Sequence, residues 1–216
     1  MKQFLSEINF PYNHFTTTKI AGNMKNEYIR NAFLESIKLD STKLVFAGQI
    51  HSSKVQLVNT SYKNCFINNC DGLITTNKDI ALGVLTADCV PILISSKNCE
   101  FKAAIHAGWR GIAKGIIENT LDILKNKLHI SLDQIKIYLG PHIRSCCYEV
   151  NFEMGDQFNI KLNGDKLDLS EIVFNKFKNF GVNKFFDIKY CTFHEKKIFF
   201  SHRRNDYERM LSIIYT

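Results

Sequence analysis

Residues 80–105 form the most constraining part of the chain. Two strongly apolar, β-type runs, 80–86 and 90–95, are parted only by Ala87-Asp88-Cys89. A third run, 101–105, ends at His106. Segments of this kind belong in a core and read as strands. An ionised carboxylate among them costs several kcal/mol unless it is paired or hydrogen-bonded. Asp88 is therefore expected in a turn between buried strands, bonded to backbone N–H groups. Taken alone, Cys89 reads as a small core residue as readily as a ligand.

The rest of the chain surrounds this segment with mixed elements. Ile29, Phe33 and Ile37 share one face of a helix expected over 26–39. A strand over 44–50 delivers His51 at its end, and 55–58 reads as the second arm of a hairpin with it. Further strands are expected over 72–75 (just after Asp71), 101–105, 136–139 and 197–201. The apolar stripe Ile112, Ile116, Ile117, Leu121, Leu124, Leu128 predicts one long helix over 111–128. A helix over 169–180, capped by Asp168 or Ser170, and a final helix over 207–215 complete the reading. The fold class is α+β, a layered α/β sandwich with mixed β-sheets rather than a regular βαβ repeat.

With 216 residues, 45% hydrophobic content, three prolines and no linker-like stretch, residues 1–216 are expected to form one domain. Seven irregularly spaced cysteines argue for free thiols in a reducing cytoplasm. The adjacent pair Cys146-Cys147 reads as structural rather than redox-active. The N-terminal residues lack the apolar core of a signal peptide, and no apolar run is long enough for a membrane span. The net charge of +7 raises nucleic acid as a partner, but the lysines are scattered, as on a solvated surface. No nucleic-acid or membrane partner is therefore expected, and a monomer or homodimer is. Arginine is scarce, six against twenty-two lysines. Five of the six, Arg110, Arg144, Arg203, Arg204 and Arg209, fall in or beside the motifs below. A guanidinium presents a planar fork of donors to phosphate or carboxylate oxygens, so an anionic group is expected nearby.

Three strand ends carry the chemistry. His51 follows one strand; taken alone, its loop is a plain hairpin. Cys89 lies between two strands. His106 ends a third, where Gly108 and Gly111 let the backbone turn tightly before a helix whose free N–H groups attract anions. Trp109 adds an aromatic wall there and Arg110 a charge. Two imidazoles and a thiolate are the number of protein ligands that leaves a catalytic zinc one open position. The block 140–149 contributes a polar turn with Arg144. The block 199–204 ends in Arg203-Arg204, which elsewhere would be a solvated surface pair.

Together the blocks QIHSSKV, DGLIT, LTADCVPILI, HAGWRGIAKGII and GPHIRSCCYEV, followed by CTF, FFSHRRN and ER, resemble the laccase-domain (multicopper polyphenol oxidase) family. Members of that family include purine nucleoside phosphorylases. The likeness runs from Gln49 to the C-terminus. It implies a layered α/β sandwich and metal binding at His51, Cys89 and His106; the separation of the last two, 106 − 89 = 17, matches the family pattern. Two departures stand out: the block from His14 to Gly22 is a weak version of the family's, and His202 replaces a Tyr.

The resemblance makes a small-molecule enzyme the expectation. The first reading is a zinc-dependent phosphorylase acting on adenosine, inosine, guanosine or methylthioadenosine with phosphate. It has Cys89, His106 and Asp88 as catalytic residues, Asp88 as a candidate general base, and Trp109, Arg110, Arg203 and Arg204 contacting substrate. Adenosine deamination would need a site unlike the H-x-E and P-C-x-x-C deaminases, whose pattern is absent. The second reading is a copper-dependent polyphenol oxidase (laccase), ranked lower because the seven histidines contain no His-x-His pair. The third is a Cys/His hydrolase editing peptidoglycan precursors, with Cys89 as nucleophile and His106 as base. A binding module without catalysis is the fourth.

Overall fold

The computed structural model describes residues 2–59, 65–162 and 164–216. The chain begins with β1 (Phe4–Leu5), β2 (Asn13–Thr17) and helix α1 (Glu27–Ser36). Asn26 caps α1 by accepting from the Ile29 N–H. β3 (Leu44–Gly48), β4 (Val55–Leu57), β5 (Cys65–Asn68), β6 (Gly72–Thr75), β7 (Ala81–Thr86), β8 (Val90–Ser96) and β9 (Lys102–Ala107) follow. Helices α2 (Trp109–Ala113) and α3 (Ile116–Asp122), β10 (Ile135–Leu139), α4 (Glu153–Asp156), α5 (Leu169–Lys178), β11 (Lys184–Asp187) and β12 (Met210–Tyr215) complete the order. Asp168 caps α5 by accepting from the Glu171 N–H.

Among the described residues these strands form two six-stranded mixed sheets, β1-β2-β12-β7-β3-β5 and β11-β10-β8-β9-β6-β4. Val45, Leu82, Val84, Ile214, Leu93, Ala104 and Tyr138 fill the space between the sheets. Phe33 and Leu34 of α1 cover the outer face of the first sheet against Phe15, Phe46 and Ile213. Helices α2, α3 and α5 cover the outer face of the second against Ile92, Ile94, Ile105 and Ile137. The result is a layered α/β/β/α sandwich. β7 and β8 are covered on both faces, which is why their sequences run apolar instead of alternating.

The order in which the chain visits the sheets creates the site. β3, β5 and β7 lie in the first sheet, and β4, β6 and β8 in the second, so the chain crosses from the first sheet to the second three times. β3 pairs in parallel with β5 and β7, so all three crossings leave from one end of the sandwich. β9 is antiparallel to β6 and β8 and finishes where those strands begin. Residues 49–54, 69–71, 87–89 and His106 are thereby gathered at one end.

Four expectations are corrected. Strand 55–58 is no hairpin partner of β3: it lies in the opposite sheet, parallel to β6. The helix expected over 111–128 starts at Trp109 and breaks at Gly115, whose φ of 88° is left-handed; beyond Asp122 it relaxes into a π-helical turn. The apolar stripe reports only that both pieces face the same sheet. Residues 197–201 are irregular, because the backbone there turns to meet Arg204 and Asp88. Residues 210–215 form a strand, not a helix. β12 is paired on both sides, with β2 and β7, and Met210 to Ile214 are buried on both faces. Continuous burial erased the two-residue period that marks a strand.

Candidate metal centre

Asp71 organises the centre. Its carboxylate, fully buried in the loop before β6, accepts from the backbone N–H groups of Ile50 (3.2 Å), His51 (3.0 Å) and Ser52 (2.7 Å). It also accepts from Ser52 Oγ at 2.8 Å and from His106 Nδ1 at 2.8 Å. Burial pushes this carboxyl up, but the bonds from His106 and Ser52 outweigh burial and hold it well below the usual carboxylate range. One side chain thus fixes the backbone of the His51 loop and the ring of His106. His51 adopts a left-handed φ of 59°, a strained conformation for a residue with a Cβ that persists only where the surroundings impose it. Gln49 anchors the same loop to β7: its amide donates to Leu85 O at 2.7 Å and accepts from Leu85 N at 2.8 Å.

His51, Cys89 and His106 converge. One potential ligand atom from each lies within 4.8 Å of the others, and His51 Nε2 is 3.9 Å from Cys89 Sγ. Around a tetrahedral ion with metal–N near 2.0–2.1 Å and metal–S near 2.3 Å, nitrogen and sulfur lie roughly 3.6 Å apart. The spacing fits. His106 gives Nδ1 to Asp71, which leaves Nε2 for an ion, the usual carboxylate–histidine arrangement. Gly108 makes room: a Cβ there would stand 3.0 Å from His51 Cδ2 and 3.1 Å from Cys89 Sγ. The three side chains can hold a metal ion. Without one, burial pushes the Cys89 thiol up, but His106 and the bonds from both imidazoles outweigh it and bring it down to about 6. Burial lowers His106 in turn, and Cys89 and Asp71 raise it to about 9. The two shifts run in the directions that favour a thiolate beside an imidazolium.

Asp88 bonds with the end of the chain more than with its own turn. Its carboxylate accepts from Thr192 Oγ1 (2.6 Å), Ser201 Oγ (2.9 Å) and the Arg203 N–H (2.7 Å), and its carbonyl accepts from Ile143 N at 3.0 Å. Its φ is 86°. The expected backbone bond is present once; two hydroxyls supply the rest.

The expected substrate contacts are placed differently. A cavity of about 550 Å³ opens beside the ligands. Besides His51, Cys89 and His106 it is lined by Lys25, Gln49, Phe66, Leu85, His202 and Arg209, not by Trp109, Arg110, Arg203 or Arg204. The exposed Arg110 guanidinium lies 4.3 Å over the Trp109 ring. Arg203 is exposed, donates to Glu149 O at 3.1 Å and lies over Tyr148. Arg204 spends both terminal nitrogens on Thr192 O, Phe193 O, Phe199 O and Asp206. Arg144 is likewise committed, pairing with Asp187 and Ser170. Lys25 and Phe66 carried no signal in the sequence, since each falls outside every motif. Arg209 stood in the closing block among the arginines expected near an anionic group, and His202 as a departure from the family's Tyr; both line the cavity.

A family model described as multi-copper polyphenol oxidoreductase laccase matches residues 12–216. A purine nucleoside phosphorylase of Campylobacter jejuni is 34% identical, over 82% of this chain and 78% of that protein. A purine nucleoside phosphorylase of Haemophilus influenzae is 29% identical, over 95% of this chain and 88% of its own length. The crystal structure of YlmD from Geobacillus stearothermophilus superposes with a TM-score of 0.90 at 25% identity, covering 100% of this chain and 99% of that one.

Proposed function

We propose, from the premise that the chain belongs to the multi-copper polyphenol oxidoreductase laccase family, that it is a cytoplasmic, zinc-dependent purine nucleoside phosphorylase. The observation that carries this reading is the convergence of His51, Cys89 and His106 on the wall of a nucleoside-sized cavity. The names of its relatives point the same way.

His51, Cys89 and His106 would hold the ion, and a set of two imidazoles and one thiolate suits zinc and would leave it one further coordination position. A zinc ion held there supplies Lewis acidity and lowers the pKa of a bound water. The chain's own residues do the rest. Asp71 fixes His106 through Nδ1, so that Nε2 keeps its aim. Lys25 and Arg209 place positive charge in the cavity for the oxygens of phosphate. Phe66 offers a ring on which a purine stacks. His202 stands at the same wall as a proton carrier for the leaving base. Asp88, already accepting three hydrogen bonds, is assigned a positioning role instead of that of general base. Arg110 and Arg203 act on anions from a distance, and Arg204 holds the closing segment.

The test is metal analysis with product analysis. Protein purified without added metal is expected to carry zinc and to release base and ribose 1-phosphate from adenosine, inosine or guanosine only when phosphate is present. Adenosine deamination at the same centre would show as inosine formed without phosphate. Cys89→Ala should abolish both metal retention and phosphorolysis; activity surviving in that variant would sink the assignment. Copper with phenol turnover would return the centre to the oxidase reading.

One observation favours a second reading. The Cys89–His106–Asp71 alignment is also the arrangement of a metal-free cysteine hydrolase. Hydrolysis that persists after exhaustive chelation and is blocked by iodoacetamide would select it.

A further inference from the structure

A second cluster of soft donors lies away from the centre. Cys146 and Cys147 belong to the loop after β10, and Cys191 to the segment after β11. Their three sulfurs lie within 4.8 Å of one another, and Cys146 Sγ is 3.5 Å from Cys147 Sγ. Around an ion with metal–S near 2.3 Å, sulfurs stand about 3.8–4.0 Å apart in tetrahedral or trigonal geometry. No large movement is needed to reach that spacing.

The scaffold is already assembled without the sulfurs. His142 N donates to Tyr190 O at 3.4 Å and Thr192 N to His142 O at 3.1 Å, which ties the two segments side by side. The Arg144 guanidinium clamps Asp187 across the same seam. Backbone N–H groups aim at the buried sulfur: Arg144 N lies 3.5 Å from Cys191 Sγ, and Phe193 and His194 add theirs. Cys146 is exposed, giving an entry route from a cleft shared with Lys166 and Asp168.

We propose that Cys146, Cys147 and Cys191 form a second metal site, taking a thiophilic d10 cation, Zn2+ or Cu+, as three thiolates with a fourth position facing the cleft. Thiolate-only donor sets select such ions over oxygen-loving ones. The ion fastens the 142–147 loop to the segment carrying Thr192, whose hydroxyl bonds Asp88 next to Cys89. The site and its test stand independently of the purine reading.

Reduced, metal-depleted protein is titrated with Zn2+, and separately with Cu+, against a chromophoric chelator. The expected stoichiometry is two ions per chain in the wild type and one in Cys89→Ser. Because buried Cys191→Ser can compromise folding, a Cys146→Ser/Cys147→Ser double variant serves as the second probe; it too should bind one. Cobalt-loaded Cys89→Ser should show sulfur-to-cobalt charge-transfer bands that vanish when Cys146 and Cys147 are also replaced. One ion per chain in the wild type, lost in Cys89→Ser and retained in the double variant, would overturn the proposal. Cobalt-loaded Cys89→Ser without charge-transfer absorption would do the same.

Discussion

Asp71 and Gly108 show how much of the centre depends on residues that are not ligands. Asp71→Asn keeps the volume but puts an amide NH2 among donors. His106 then loses its orienting partner, and metal affinity is expected to fall about 10- to 100-fold. Chelator competition reads this directly; affinity within twofold of wild type would contradict it. Gly108→Ala places a methyl group against His51 and Cys89. Its backbone φ of −74° accepts alanine, so the variant should fold normally while losing roughly 10-fold or more in metal affinity. An unchanged affinity would mean that the ligands have more slack than their spacing indicates. Asp71 was visible in the sequence as the first residue of the DGLIT block, before a short strand, but its role was not, because its donors come from 50–52 and from 106.

Neighbouring arginines in the closing segment have opposite roles. Arg204 fills carbonyls that would otherwise be left unpaired beside the buried Phe199. Arg204→Ala is expected to cost about 2–4 kcal/mol in denaturant unfolding. Exposed Arg203→Ala should stay within about 0.5 kcal/mol. Equal losses in the two variants would refute this division. In sequence the pair is symmetrical, and only the course of residues 192–199 around one guanidinium separates them. Helix α1 and the Asp168 cap of α5 were readable because capping and the 3.6-residue period are local. β12 was misread because a strand covered on both faces lacks an alternating pattern.

The layered packing also buries a cation. Lys102, 1% exposed at the start of β9, donates to Lys78 O and Thr216 Oγ1 and lies over the Tyr12 ring. Burial lowers its ammonium to about 8, with Asp79 and Cys99 opposing only in part. In the unfolded chain a lysine titrates near 10.4. Between about 8 and 10.4 the unfolded chain therefore holds a proton that the folded one has released, and Lys102 contributes increasing stability as pH rises through that window. Lys102→Met lacks this gain. The wild type should gain on the order of 2 kcal/mol over the variant between pH 7.5 and 10 in parallel urea titrations. A constant difference would show that the group titrates normally.

The apolar runs at 80–95 and 101–105, the cap of α5 and the unusual residues at strand ends were legible in the chain because each is a local pattern. They gave the α+β class, most strands, and, through the family's motifs, His51, Cys89 and His106. The fold decided what joins them: three crossings from the first sheet to the second, all leaving from the same end, bring residues up to 55 positions apart to one ion-sized space. It also decided that Lys25 and Phe66 line the cavity while Trp109 and Arg204 do not. Sheet partnership and side-chain direction depend on contacts distant along the chain, and no local pattern encodes them.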